Sequence, residues 1–192
     1  MGGAERLAPA AEAELFAEAL SCELVLPADF RAGADAGRQA EAEALLRGLA
    51  RIEDLRSEDG GEERGEAHLQ LQHMDAKLDL ALVLLGRLLS QSAPALPACP
   101  LRWSARGLRL QLGQPDDGAL PAAGTAGVLR LQPADWLPDR LELPATVLAV
   151  APTPGGAWLW LRFPPLKPGL EDALERHLFR MHRRQIADER RR

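Results

Sequence analysis

The apolar pattern between Ala67 and Leu88 constrains this chain more than any other feature. Ala67, Leu71, Met74, Leu78, Ala81, Leu85 and Leu88 follow at alternating steps of four and three. That is a heptad repeat on one helix, with Leu71, Leu78 and Leu85 at a and Ala67, Met74, Ala81 and Leu88 at d. The seam does not use up the apolar residues: Leu82 and Leu89 fall at e, Leu84 at g, and Leu80 and Val83 lie further round. A two-stranded coil leaves e and g wet, whereas a larger bundle buries them. Leucine at every a position also disfavours a parallel dimer. The pattern predicts a homotetramer on a parallel coiled coil, with Leu71, Met74, Leu78, Ala81, Leu85 and Leu88 as its seam. The competing arrangement is an intramolecular hairpin. In it this helix, residues 66–91, folds back on a preceding one across the polar hinge SEDGGEERGE.

The preceding helix is read over residues 38–57. Leu45, Leu49 and Ile52 recur at helical spacing, and Glu43 and Arg47 form an i,i+4 pair on the wet side. On either side of these two helices the texture is that of strands. SCELVLP, residues 21–27, reads as a strand ending at a proline. SAPALPACP stops the second helix, and LRWSARGLRLQL, GVLRLQP, LELPATVLAV and AWLWLRF follow, separated by Gly-, Pro- and Asp-rich turns. A last helix, residues 169–184, carries the stripe Leu170, Leu174, Leu178 and Met181. The expected architecture is mainly β: a small antiparallel barrel or sandwich, interrupted after its first strand by two long helices. The divisions are 1–36 for the first part of the β unit, 37–93 for the inserted helices, and 94–192 for the remainder and the C-terminal helix.

The net charge of −5 argues against nucleic-acid binding by the chain as a whole. Two cysteines, Cys22 and Cys99, are too few for a disulfide scaffold and read as free thiols. The N-terminus carries acidic residues where a signal peptide needs basic ones. The most apolar run, residues 78–89, is too short to span a bilayer and contains Asp79 and Arg87. The expectation is a soluble cytoplasmic protein without membrane insertion.

Motifs of catalysis are missing. There is no G-x-S-x-G, no P-loop and no dinucleotide fingerprint. His68 and His73 stand five residues apart, as do His177 and His182, which is not the helical spacing that converges on a metal. The basic tail RMHRRQIADERRR reads as a helix end that favours cations. No enzyme, metal or cofactor is expected.

The step Ser104-Ala105-Arg106-Gly107, the closing strand LWLRF with its Phe163, and the helix LEDALERHLFRMHRRQ together resemble the PilZ domain, a bacterial family that senses cyclic di-GMP. The long helical insertion further resembles an atypical, tetramer-forming branch of that family. The resemblance implies a six-stranded antiparallel barrel with a C-terminal helix. It also implies a ligand site built from an R-x-x-x-R segment before the first strand and a [D/N]-x-S-x-x-G strand. Here the segment before SCELVLP is ELFAEAL, which has no arginine, and Arg102 stands at the Asp/Asn position. Arg102, Ser104 and Gly107 are therefore read as a degenerate site. Losing two or three charge-assisted hydrogen bonds of about 1.5–3 kcal/mol each weakens an anionic ligand by orders of magnitude. A β-bulge at Ser104 and Gly107 is the expected structural use of the motif.

In AWLWLRF, Leu159, Leu161 and Phe163 are expected to face the interior and Trp158 and Trp160 the outside. The C-terminal helix is the expected cover for the tryptophans, and left uncovered they form a partner surface. The resulting function is an oligomeric adaptor or scaffold in cyclic di-GMP signalling that responds through a protein partner, in motility, type IV pili, biofilm or virulence. The alternatives are a direct receptor with a rewired site and an oligomerising barrel with no link to the nucleotide.

Overall fold

The computed structural model describes residues 7–33, 38–58, 74, 78, 95–113, 120–134, 137 and 139–190. Its frame is six strands: β1 (Ser21–Ala32), β2 (Ala98–Ser104), β3 (Gly107–Gly113), β4 (Ala126–Leu131), β5 (Leu141–Thr153) and β6 (Gly156–Arg162). Every neighbouring pair is antiparallel, and the order β1-β2-β3-β6-β5-β4 closes on itself as a barrel.

Closure depends on β1, and there the strand does not end at Pro27 as its sequence suggests. Residues 21–27 pair with β2, and residues 28–32 pair with β4. The proline, which has no N–H to donate, sits where the strand changes neighbours. Its carbonyl still accepts from the Gln132 N–H at 2.9 Å.

LRWSARGLRL is not one kinked strand either. It is a hairpin in which Ser104 pairs with Gly107 across the two-residue turn Ala105-Arg106. The register shift characteristic of a bulge lies instead in β5, between Val147 and Ala149. It bends this long strand around the barrel.

The interior is filled by alternate strand residues, including Leu101, Trp103, Leu108, Leu110, Leu129, Leu143, Leu159 and Leu161. The C-terminal helix (Pro168–Glu189) closes it with Leu170, Leu174, Leu178 and Met181, the stripe expected from the sequence. The helix between β1 and β2 (Gln39–Glu58) packs beside it. Its buried face is Ala42, Leu46, Leu49 and Glu53, rotated from the expected Leu45–Leu49–Ile52 stripe. Glu53 is the one charged residue of that face. Its carboxylate is taken by Arg180 at 3.0 Å and Arg184 at 2.8 Å, both from the C-terminal helix. The expected Glu43–Arg47 pair forms at 2.8 Å.

Of the heptad seam, Met74 and Leu78 are described. Both are helical, and on the single chain they are 59% and 58% exposed. Leu71, Ala81, Leu85 and Leu88 lie outside the described residues, as do His68 and His73. Among the described residues no helix is long and apolar enough to cross a membrane.

A helix the sequence reading missed precedes β1. We label the helices α1 (Pro9–Phe16), α2 (Gln39–Glu58) and α3 (Pro168–Glu189). Pro9 at the first helical position is the start signal for α1.

Candidate functional site

α1 lies on the outer face of β3 and β6, and the strand register explains what it meets there. Glu23 pairs with Arg102, Arg102 with Arg109, Arg109 with Trp160, and Trp160 with Ala149. Five strands thus set one transverse row across the outside of the barrel. Two arginines stand directly opposite each other in that row, which by itself is unfavourable. The carboxylate of Glu12 from α1 resolves it. One oxygen accepts from Arg102 Nη1 at 3.0 Å and from Arg109 Nη1 at 2.8 Å; the other accepts from the Trp160 indole at 2.7 Å. The Arg109 side chain is only 3% exposed, so this carboxylate is the principal compensation for a buried charge. Glu23 adds a longer contact at 3.5 Å.

Aromatic rings complete the frame. The Arg102 guanidinium lies 4.5 Å over the Phe16 ring, and the Arg109 guanidinium 5.2 Å over that of Trp158. Leu15, Phe16, Ala11, Ala151 and Trp160 form an apolar cluster separate from the barrel interior.

Ser104 and Gly107 belong to the same arrangement. The Ser104 hydroxyl donates to the Leu15 carbonyl at 2.8 Å and accepts from the Arg106 N–H at 3.2 Å. A Cβ on Gly107 would collide with the Leu161 carbonyl and stand 2.7 Å from Leu15 Cδ2. The glycine is therefore what lets Leu15 seat and β6 approach. Arg106 caps the C-terminal end of α1, donating to the carbonyls of Ala17 at 3.0 Å and Glu14 at 3.4 Å. Arg162 pairs with Glu14 at 3.0 Å.

Arg102, Ser104 and Gly107 are thus brought together, and the face they share is filled by the chain's own N-terminal helix. Trp160 is fully buried and Trp158 half-buried, and their cover is α1, not the C-terminal helix as expected. Sequence reasoning missed Glu12 and Arg109. Strand register puts Arg109 beside Arg102, and no local pattern links either to a glutamate 97 residues before Arg109.

A profile described as the atypical PilZ domain (tPilZ), cyclic di-GMP receptor, matches residues 46–191, more than half of the chain. The chain belongs to the atypical PilZ domain family. A solved structure of a pathogenic protein from Xanthomonas campestris is 56% identical over 97% of this chain and 99% of that one, with a TM-score of 0.76. That protein is a tetrameric PilZ domain self-assembled via an unusual helical bundle. A motility inhibitor of Bacillus subtilis, MotI/DgrA, is 22% identical over 47% of this chain and 43% of that one, with a TM-score of 0.36, too slight a likeness to argue from. No curated protein matches.

Two further groups of this PilZ barrel are buried. His177 is enclosed by α3 and β2, its ring 5.7 Å from that of Trp103, and neither ring nitrogen has a hydrogen-bond partner. Burial, with Arg180 and Arg184 nearby, pushes its pKa down to about 4. Cys22 and Cys99 sit on adjacent strands but do not meet. Cys22 pairs with Trp103 and Cys99 with Leu26. Cys22 donates weakly to the Leu178 carbonyl and Cys99 to that of Ala28, and burial raises both thiol pKa values.

Proposed function

We propose that this chain is a non-enzymatic, oligomeric adaptor in cytoplasmic cyclic di-GMP signalling, which reaches motility, type IV pili, biofilm or virulence through a protein partner. One observation carries the reading: the row formed by Arg102, Arg109 and Trp160 is closed by Glu12. Where the family is described as a cyclic di-GMP receptor, the anion in this groove is a carboxylate of the chain itself. The segment before β1 lacks the arginine pair that would replace those contacts for a nucleotide.

Oligomerisation assigns residues 37–93 their role. The heptad seam of Leu71, Met74, Leu78, Ala81, Leu85 and Leu88 builds a homotetramer, and the exposure of Met74 and Leu78 on the single chain supports it. The tetrameric Xanthomonas campestris relative, assembled by a helical bundle, supports it as well.

Calorimetric titration with cyclic di-GMP tests the adaptor reading. No saturable binding is expected below about 10 μM, which corresponds to about −7 kcal/mol. A saturable curve would instead favour the second reading, a direct receptor rewired around Arg102, Ser104 and Gly107. That reading draws on the two adjacent guanidiniums. Capture of a protein partner from the native cell, with and without the nucleotide, then identifies the pathway.

A further inference from the structure

We infer that the face under α1 is a docking groove for a helical segment of a partner protein, one that presents a glutamate one turn ahead of a Leu-Phe pair, and that α1 is its internal occupant. The inference rests on the adaptor reading and names the chemistry of the partner.

Charge defines the occupant first. With α1 lifted, the groove presents the Arg102 and Arg109 guanidiniums and the Trp160 indole N–H to whatever replaces it. Under α1 the Arg109 side chain is only 3% exposed, so any occupant that covers this face again must bring an anion to it. Beside these donors lies an apolar shelf of Leu148, Ala149, Ala151 and Trp158, now filled by Leu15 and Phe16. An anion alone leaves that shelf wet, and an apolar peptide alone takes the Glu12 carboxylate from Arg109 and returns no anion in its place. A helix with a carboxylate at one position and Leu-Phe three and four residues on satisfies both, because positions i, i+3 and i+4 share a face. This is the spacing of Glu12, Leu15 and Phe16.

The internal occupant is built to leave. α1 has eight residues, a length at which an isolated helix is marginal. Its N-cap, Ala8, offers no side-chain cap. It joins β1 through Glu18, which holds a left-handed φ of 57° that a non-glycine residue adopts at a cost. No α1 residue belongs to the barrel's own core cluster, so its departure leaves the interior closed.

The test uses the whole 192-residue chain and a fluorescent peptide of residues 8–18. In polarisation titrations, a Glu12→Gln protein, with its strap weakened, is expected to bind the peptide about tenfold tighter than wild type. A peptide carrying Gln at the Glu12 position is expected to bind about tenfold worse than the parent. Absence of saturable binding, equal affinity for the two proteins, or equal affinity of the two peptides overturns the inference and leaves the adaptor reading standing. Displacement of the bound peptide by micromolar cyclic di-GMP returns the groove to the nucleotide and overturns both. Hydrogen exchange on the wild-type chain needs no variant. Amides of α1 are expected to exchange about a hundredfold faster than those of β3 and β6, and equal protection overturns the inference.

Discussion

Glu12 and Arg109 meet at 2.8 Å across 97 residues of sequence, one on a short helix and the other in the middle of a barrel strand. The pair is the junction between α1 and the barrel. Glu12→Gln should cost about 2 kcal/mol in urea unfolding, because it leaves a buried guanidinium with only the longer contact to Glu23. Adding Arg109→Met to that variant should cost less than the Arg109→Met change does alone, since the partner is already gone. Losses that simply add would refute the pairing.

Gly107 offers a sharper steric test, with a control on its own strand. Gly107→Ala should destabilise the barrel by about 2 kcal/mol or more, through collision with the Leu161 carbonyl and displacement of Leu15. Gly113→Ala, with open space around the added methyl, should change the melting midpoint little. Equal effects of the two variants would rule out the packing described here.

His177 makes the fold acid-sensitive in a defined window. Its folded pKa is about 4, against an ordinary histidine value near 6.5. Above pH 6.5 the ring is neutral in both states and its contribution is intact. As pH falls from 6.5 to 4 the unfolded chain takes the proton first, so stability is lost, by about 3 kcal/mol in all. Denaturant midpoints measured across that range should fall, and His177→Phe should flatten the slope. A wild-type profile that is level between pH 6.5 and 4 would contradict the burial of this ring.

The two thiols are expected to be silent in the native state. Both are buried, and desolvation raises their pKa values, so little thiolate is present at neutral pH. A thiol reagent should label Cys22 and Cys99 only after denaturant is added. Rapid labelling of the native protein would show that α3 opens, since Cys22 lies under Leu178.

The heptad seam is tested by mass. Light scattering at micromolar concentration should give a tetramer, and Leu78→Glu with Leu85→Glu should give a monomer whose barrel remains folded. A wild-type monomer would favour the intramolecular hairpin.

Much of the frame was legible because it depends on local alternation. Leu159, Leu161 and Phe163 read as interior positions and are buried, and the stripe from Leu170 to Met181 read as a packed helix face. The Ser104–Gly107 step was also visible, but not as the turn of a hairpin. Two-residue turns and bulges both use small residues, and only pairing distinguishes them.

Legible without the fold were most of the strands, the polarity of their faces, the apolar stripe of α3 and the arginine at position 102. Periodicity and residue type suffice for these. The fate of the groove was settled by closure of the barrel, which no local signal encodes. Closing the barrel sets Glu23, Arg102, Arg109 and Trp160 in one row, and two opposed guanidiniums in a half-dry wall need an anion. Which anion supplies it depends on where the chain before β1 folds, and nothing local to Glu12 marks it as the partner of a strand 97 residues away.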